Sequence, residues 1–146
     1  MIQINNMGGQ GNLVVGYIRI STESQLDSLD SQRSQLEDWC QKHGHELLAC
    51  YIDEVPGISD TGSELPSRSA LLTDARCHKF DSVVVASLDC WARSGEDQCR
   101  TFTTLNQARV GLTSIREGFN LHSPAGQLMF AMMESLDQIL GGEECE

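Results

Sequence analysis

Two residues with opposite chemical characters, Arg19 and Ser21, end the apolar run Leu13-Val-Val-Gly-Tyr-Ile-Arg-Ile-Ser21. Side chains at i and i+2 of a strand point to the same side, so both should face one site. The serine offers a hydroxyl nucleophile that needs activation. The arginine offers a planar cation suited to the oxygens of a phosphate. A charge at the end of a buried strand is costly unless something pairs with it, which makes Arg19 out of place unless a ligand or partner is near. A second polar strand exit follows later, Ser87-Leu-Asp-Cys-Trp-Ala-Arg-Ser94. There Asp89 and Arg93 are four apart and would meet if that turn is helical. The plainer alternative is a surface ion pair at a helix start, contributing little.

These residues need a frame that brings them to one edge. From Leu13 to Ile20 the chain is apolar on both alternation phases, the pattern of a strand covered on both faces in a parallel sheet. Helical spacing over Ser28 to His43 closes at Gly44, and Glu46 to Asp53 forms a second strand, giving a right-handed βαβ unit. A long loop rich in Gly, Pro and Ser runs from Glu54 to Pro66. A helix over Ser67 to His78, a strand over Phe80 to Ala86, a helix over Glu96 to Arg109 and a strand over Gly111 to Arg116 complete the alternation. After the turn 117–122, Ser123-Pro124 starts a last helix that should run to about Leu140, where Gly141-Gly142 and an acidic tail end it. The expected fold is α/β: a three-layer, doubly wound, mainly parallel sheet of four to five strands ending in a long C-terminal helix. In such sheets ligands collect beyond the carboxyl ends of the strands, where Ser21 and Arg93 should both lie. On the last helix Leu128 or Met129, Met132 or Met133, Leu136, and Ile139 or Leu140 supply more apolar positions than one buried face needs. Part of that helix should pack against another subunit.

Composition bounds the alternatives. The 146 residues suffice for one domain with a real core, read as a flexible tail at 1–11, a domain at 12–140 and an acidic tail at 141–146. No stretch has the length of a membrane span, and the opening residues do not resemble a signal peptide, so a cytoplasmic location without membrane attachment is expected. The six cysteines show no C-x-x-C spacing, and reduced thiols are expected rather than disulfides or a metal site. No cofactor motif is present: Gly8-Gly-Gln-Gly11 precedes the first strand instead of following it. A net charge of -11 opposes a nucleic-acid partner unless the basic residues gather in one site or DNA is read by another segment. A serine hydrolase is disfavoured, since no G-x-S-x-G elbow occurs and, of the histidines, only His122, on a turn expected at the same sheet edge, could approach Ser21.

Four segments in order resemble the serine recombinases, the family of resolvases and DNA invertases. They are Gly16-Tyr-Ile-Arg-Ile-Ser-Thr-Glu-Ser-Gln25, Ser28-Leu-Asp-Ser-Gln-Arg33, Asp81-Ser-Val-Val-Val-Ala-Ser-Leu-Asp89 with Ala92-Arg93-Ser94, and Ser123-Pro-Ala-Gly-Gln-Leu-Met-Phe130. The resemblance runs from about Leu13 to Ile139 and implies a catalytic domain that breaks double-stranded DNA and keeps the strand as a 5′-phosphoserine linkage, so that ends are rejoined without hydrolysis or an added energy source; no cofactor or metal is expected. It implies Ser21 as nucleophile, Arg19 and Arg93 as phosphate-binding arginines and Asp89 as their acidic partner. Gln25, Gln32 and Ser59 match polar residues that position the site, and a homodimer or tetramer would form through the C-terminal helix.

The sequence departs from the family pattern at Cys90 and Leu65, where arginines are usual, and neither side chain can donate to a phosphate as a guanidinium does. Arg68 is a candidate substitute, reaching toward the same side from the start of its helix, against the plainer expectation of a solvated helix arginine. The family's helix-turn-helix reader is not found in these residues. The alternative to an active recombinase domain is therefore a catalytically impaired oligomerisation or regulatory module.

Overall fold

The computed structural model describes residues 13–21, 27–55 and 65–145, with side chains described through residue 136. The tail expected at 1–11 lies outside them. The strands are β1 (Leu13–Ser21), β2 (Glu46–Val55), β3 (Ser82–Val85), β4 (Gly111–Ser114) and β5 (Phe119–Asn120). The helices are α1 (Leu29–Lys42), α2 (Pro66–Arg76), the single turn α3 (Leu88–Trp91), α4 (Gly95–Ala108) and α5 (Pro124–Cys145). The sheet order is β2-β1-β3-β4-β5, with β1 to β4 parallel and β5 antiparallel on the edge. The chain therefore leaves β1 for β2 on one side and resumes with β3 on the other. The crevice between β1 and β3 is the switch point of the sheet, where open α/β folds form their sites.

Alternate residues of β1 feed two different cores. Val14 and Ile18 join Leu36, Cys40 and Val84 under α1. Val15 and Tyr17 join Leu71, Trp91, Phe102 and Leu105 under the helices of the opposite face. Helix α1 comes so close to β1 that a Cβ on Gly16 would lie 2.6 Å from Leu36 Cδ1. Ser28 caps α1 by accepting from the Ser31 N–H, and Gly44 follows the helix at φ +72°, the left-handed conformation expected of a glycine there. The three layers and the mainly parallel sheet agree with the sequence reading.

Three details differ from it. The segment read as a turn contains the edge strand β5, whose Leu121 N–H continues the pairing to the Leu112 carbonyl at 2.9 Å. Helix α5 does not stop near Leu140 but passes through Gly141-Gly142 to Cys145. Glycine lowers helix propensity without removing a backbone donor as proline does, so it permits a stop without enforcing one. Finally, Asp89 and Arg93 do not share a helix, because α3 ends at Trp91 and Ala92 is extended at φ -133° and ψ 152°.

The apolar surplus of α5 is resolved by its packing. Phe130 is buried and Met129 and Met133 lie against the core, whereas Leu128, Met132 and Leu136 are 64%, 59% and 60% exposed. These three are spaced four apart and form one uncovered stripe.

Candidate active site

The carboxyl end of β1 delivers Arg19 and Ser21 to the switch point, two residues apart in extended backbone. Arg19 is buried and pairs in register with Asp53 of β2, while Ser21 is partly exposed and pairs with Val55. The Arg19 guanidinium crosses toward β3 and grips the turn that follows it. Nε donates to the Cys90 carbonyl at 3.3 Å and Nη2 donates to the Asp89 carbonyl. Burial pushes the Arg19 guanidinium below its ordinary value, and the charges of Arg93 and Arg68 push the same way. Arg19 and Arg68 thus both hold the α3 turn, Arg19 through the carbonyls of Asp89 and Cys90 and Arg68 through that of Trp91, and an arginine retains its charge even when desolvated.

Gln32 of α1 supports this strand end from beneath. Its amide nitrogen donates to the carbonyls of Arg19 at 2.9 Å and Asp27 at 2.8 Å, spanning the two sides of the segment after β1. Gln25 and Ser59 lie outside the described residues.

Asp89 is exposed on α3, with its main-chain carbonyl engaged by Arg19. Arg93 is half-buried in the turn before α4, and its backbone N–H donates to Asp97 Oδ2 at 3.2 Å. Together with Ser94, Glu96, Asp97 and Arg100 it lines a cleft of about 260 Å³. Ser94 caps α4, accepting from the Asp97 N–H at 3.1 Å.

Arg68 is neither the solvated helix arginine nor the open phosphate donor weighed from the sequence. It is 6% exposed and fork-bound to Asp97, with Nη2 2.6 Å from Oδ1 and Nη1 2.8 Å from Oδ2. Nη1 also donates to the Trp91 carbonyl at 2.6 Å. Spacing from Leu65 fixes only where Arg68 lies on its own helix, whereas its partner comes from another helix. Leu65 and Cys90 are each 2% exposed, so both positions face into packing. The Cys90 sulfur lies 3.3 Å from the donating Ser87 hydroxyl, and burial pushes its thiol up.

Asp53 was missed by the sequence reading. Its carboxylate accepts from the Tyr17 hydroxyl at 2.8 Å and from the backbone N–H groups of Ser67 and Arg68 at 2.8 and 2.9 Å. It caps α2 from the neighbouring strand, since the N-cap residue Leu65 has no side chain able to do so. The available signal was an acidic residue at the end of the second strand, matching the anomaly of Arg19 in the first.

His122 does not stand near Ser21. Because β5 is antiparallel, it returns the chain to the amino-terminal rim of the sheet, where the His122 Nε2 lies 3.1 Å from the Val110 carbonyl. There it shares a separate cleft of about 570 Å³ with Trp39, His45 and Arg109.

Known proteins share this architecture. The family described as Resolvase, N terminal domain, matches residues 14–142. A protein of Bacillus subtilis (strain 168) named as a DNA recombinase is 29% identical over 126 residues, covering 86% of this chain and 25% of the relative. The chain thus spans about a quarter of that relative's length. The N-terminal catalytic domain of TP901-1 integrase superposes with a TM-score of 0.77 at 25% identity, covering 90% of this chain and 98% of that domain. A resolvase family site-specific recombinase from Streptococcus pneumoniae superposes with a TM-score of 0.69 at 20% identity, covering 89% and 88% of the two chains. That second likeness is one of fold.

Proposed function

The chain belongs to the resolvase N-terminal domain family, and on that premise we propose that it is the catalytic domain of a site-specific DNA recombinase with Ser21 as nucleophile. The observation that carries the reading is the buried Arg19, two residues before Ser21, whose guanidinium is held across the switch point by the carbonyls of Asp89 and Cys90. A phosphodiester is the substrate that this combination of a hydroxyl and clustered guanidinium groups suits.

In the proposed reaction the Ser21 oxygen forms a bond to the phosphorus and loses its proton. The bond from phosphorus to the deoxyribose 3′ oxygen breaks, and that oxygen leaves as a 3′ hydroxyl after taking up a proton. The product is a 5′-phosphoserine linkage, which attack by the 3′ hydroxyl of an exchanged strand reverses. No bond to water forms, so the phosphodiester energy is retained. Arg19 and Arg93 would balance the charge that spreads over the non-bridging oxygens. The Arg19 fork carries more N–H donors than the two carbonyls use, leaving some for phosphate. Asp89 would act as the acidic partner beside them, and Gln32, Gln25 and Ser59 as positioning groups.

Double-stranded DNA would be the partner, in the cytoplasm, with assembly of two or four copies through the stripe Leu128, Met132 and Leu136. No helix among the described residues is long and apolar enough to cross a membrane.

A second reading is favoured by Leu65 and Cys90, whose buried side chains supply no phosphate donor where the family carries arginines. It is a module of weakened chemistry that serves in assembly or regulation through α5.

The test fuses the chain to a DNA-binding domain of known specificity and supplies a duplex with two matching half-sites around a crossover. A denaturant-resistant protein–DNA adduct on the 5′ end, lost in Ser21→Ala, is expected. Persistence of the adduct in Ser21→Ala would remove Ser21 as nucleophile. An adduct that forms only after Leu65→Arg and Cys90→Arg would favour the second reading.

A further inference from the structure

Arg93 sits in a turn with little structure of its own. The turn follows the four-residue α3, passes through an extended Ala92 and ends at the N-cap Ser94. Its backbone is tied down by Asp97, whose Oδ2 accepts the Arg93 N–H. Asp97 in turn is held by Arg68, and the same Arg68 binds the Trp91 carbonyl just before the turn. The guanidinium also lies 5.5 Å from the centre of the Trp91 ring, a cation–π contact inside the packed layer. At the other end, Arg68 is fixed by its own backbone N–H to Asp53 on β2. A continuous line of hydrogen bonds therefore runs from the sheet through Asp53, Arg68 and Asp97 to Arg93.

We infer that Arg68 is a positioning residue whose buried fork onto Asp97 and the Trp91 carbonyl fixes the turn presenting Arg93 to the substrate phosphate. The inference rests on the reading of Arg93 as a phosphate-binding residue. Arg68 cannot serve as an open phosphate donor in this arrangement, since it is buried and its charge is paired with the Asp97 carboxylate. Its geometry matters more than its charge: two terminal nitrogens span both carboxylate oxygens, which the single ammonium of lysine cannot reproduce.

The test compares Arg68→Lys, Arg68→Met and the double variant Arg68→Met/Asp97→Leu in the same fusion. Three readouts are taken: hydrogen exchange of the Arg93 amide, the rate of adduct formation, and the urea midpoint. Arg68→Met should speed exchange at Arg93 by about tenfold or more, because Asp97 loses the fork that orients the oxygen accepting that N–H, and tenfold corresponds to weakening about one hydrogen bond. It should slow adduct formation by about a hundredfold, the effect of displacing a catalytic group by about 1 Å. Arg68→Lys should fall between Arg68→Met and the native chain. Removing both charges for apolar groups should recover the urea midpoint, while adduct formation stays slow. Recovery of the adduct rate together with the midpoint would make the pair structural only and overturn the inference, as would unchanged Arg93 exchange in Arg68→Met. If the native fusion forms no adduct, the functional reading fails, and Arg93 exchange alone still decides whether Arg68 sets the turn.

Discussion

Gln32 donates its side-chain amide to the Arg19 carbonyl at 2.9 Å, joining the first helix to the strand end that carries the proposed nucleophile. The same nitrogen reaches the Asp27 carbonyl at 2.8 Å, and Gln32 is fully buried. Gln32→Glu keeps the shape but replaces the donor with an oxygen facing two carbonyl oxygens. It should cost about 2 to 3 kcal/mol in urea unfolding at pH 7, the range for leaving buried polar groups unsatisfied. An unchanged midpoint would show that the amide is not needed to hold the two carbonyls.

Asp97 makes a pH prediction. Burial acts to raise its carboxyl, but the hydrogen bonds and charge of Arg68, with help from the Arg93 N–H and Arg100, outweigh burial and hold it below the usual carboxylate range. A carboxyl depressed by folding stabilises the protein above its unfolded pKa of about 3.9 and loses that contribution as pH falls through the folded value. Asp97→Asn should destabilise by about 3 to 5 kcal/mol at pH 7, the cost of breaking a buried pair. Urea midpoints should show that gap steady down to about pH 5 and narrowing below about pH 4. A gap that stayed constant throughout the acid range would contradict the pairing.

The two tyrosines predict an alkaline signature. Burial first, then the bond to Asp53, pushes the Tyr17 phenol far above its ordinary value. Burial and the 2.6 Å bond to Asp74 push Tyr51 up to about 12. An unfolded phenol ionises near pH 10, so folded protein binds more protons above that pH and stability declines as pH rises. Absorbance at the tyrosinate band should stay flat through about pH 10.5 while the chain remains folded. Ionisation of both phenols near pH 10 with native circular dichroism would refute their burial and their bonds to Asp53 and Asp74.

Gly126 predicts a steric defect at the start of α5. A Cβ there would lie 1.9 Å from the Asn120 carbonyl oxygen and 3.0 Å from that of Leu121. These are backbone atoms, which cannot turn aside as a side chain can. Gly126→Ala should lose about 3 kcal/mol by thermal or urea unfolding, at the upper end of overpacking effects. Gly95→Ala, where a Cβ meets nothing within 4 Å, should be neutral or stabilise by up to about 1 kcal/mol. Equal effects at the two positions would rule out close approach as the cause.

The sequence by itself determined the order of β1 to β4 and of the four longer helices, because burial periodicity is local. Continuous apolar residues at Val14 to Ile18 mark a strand covered on both faces, and Ser28 and Gly44 bracket a helix through their own backbone preferences. It also placed Arg19 and Ser21 on one side of one strand end, since that relation needs only the two-residue repeat. It narrowed the α5 stripe to alternatives without choosing between neighbours, because residues one apart differ by only about 100° around a helix.

Only the tertiary structure decided what each charge meets. Arg68 faces Asp97 across 29 positions, and Arg19 grips the carbonyl of Asp89 across 70. Such partners depend on which helices share a face of the sheet, and no local pattern records that. The same holds for Asp53, which caps a helix from a strand, and for His122, carried to the far rim when β5 reversed direction. Periodicity sorts side chains into inside and outside, whereas the pairing of buried polar groups is settled only when distant segments pack and each desolvated donor or acceptor must find a partner.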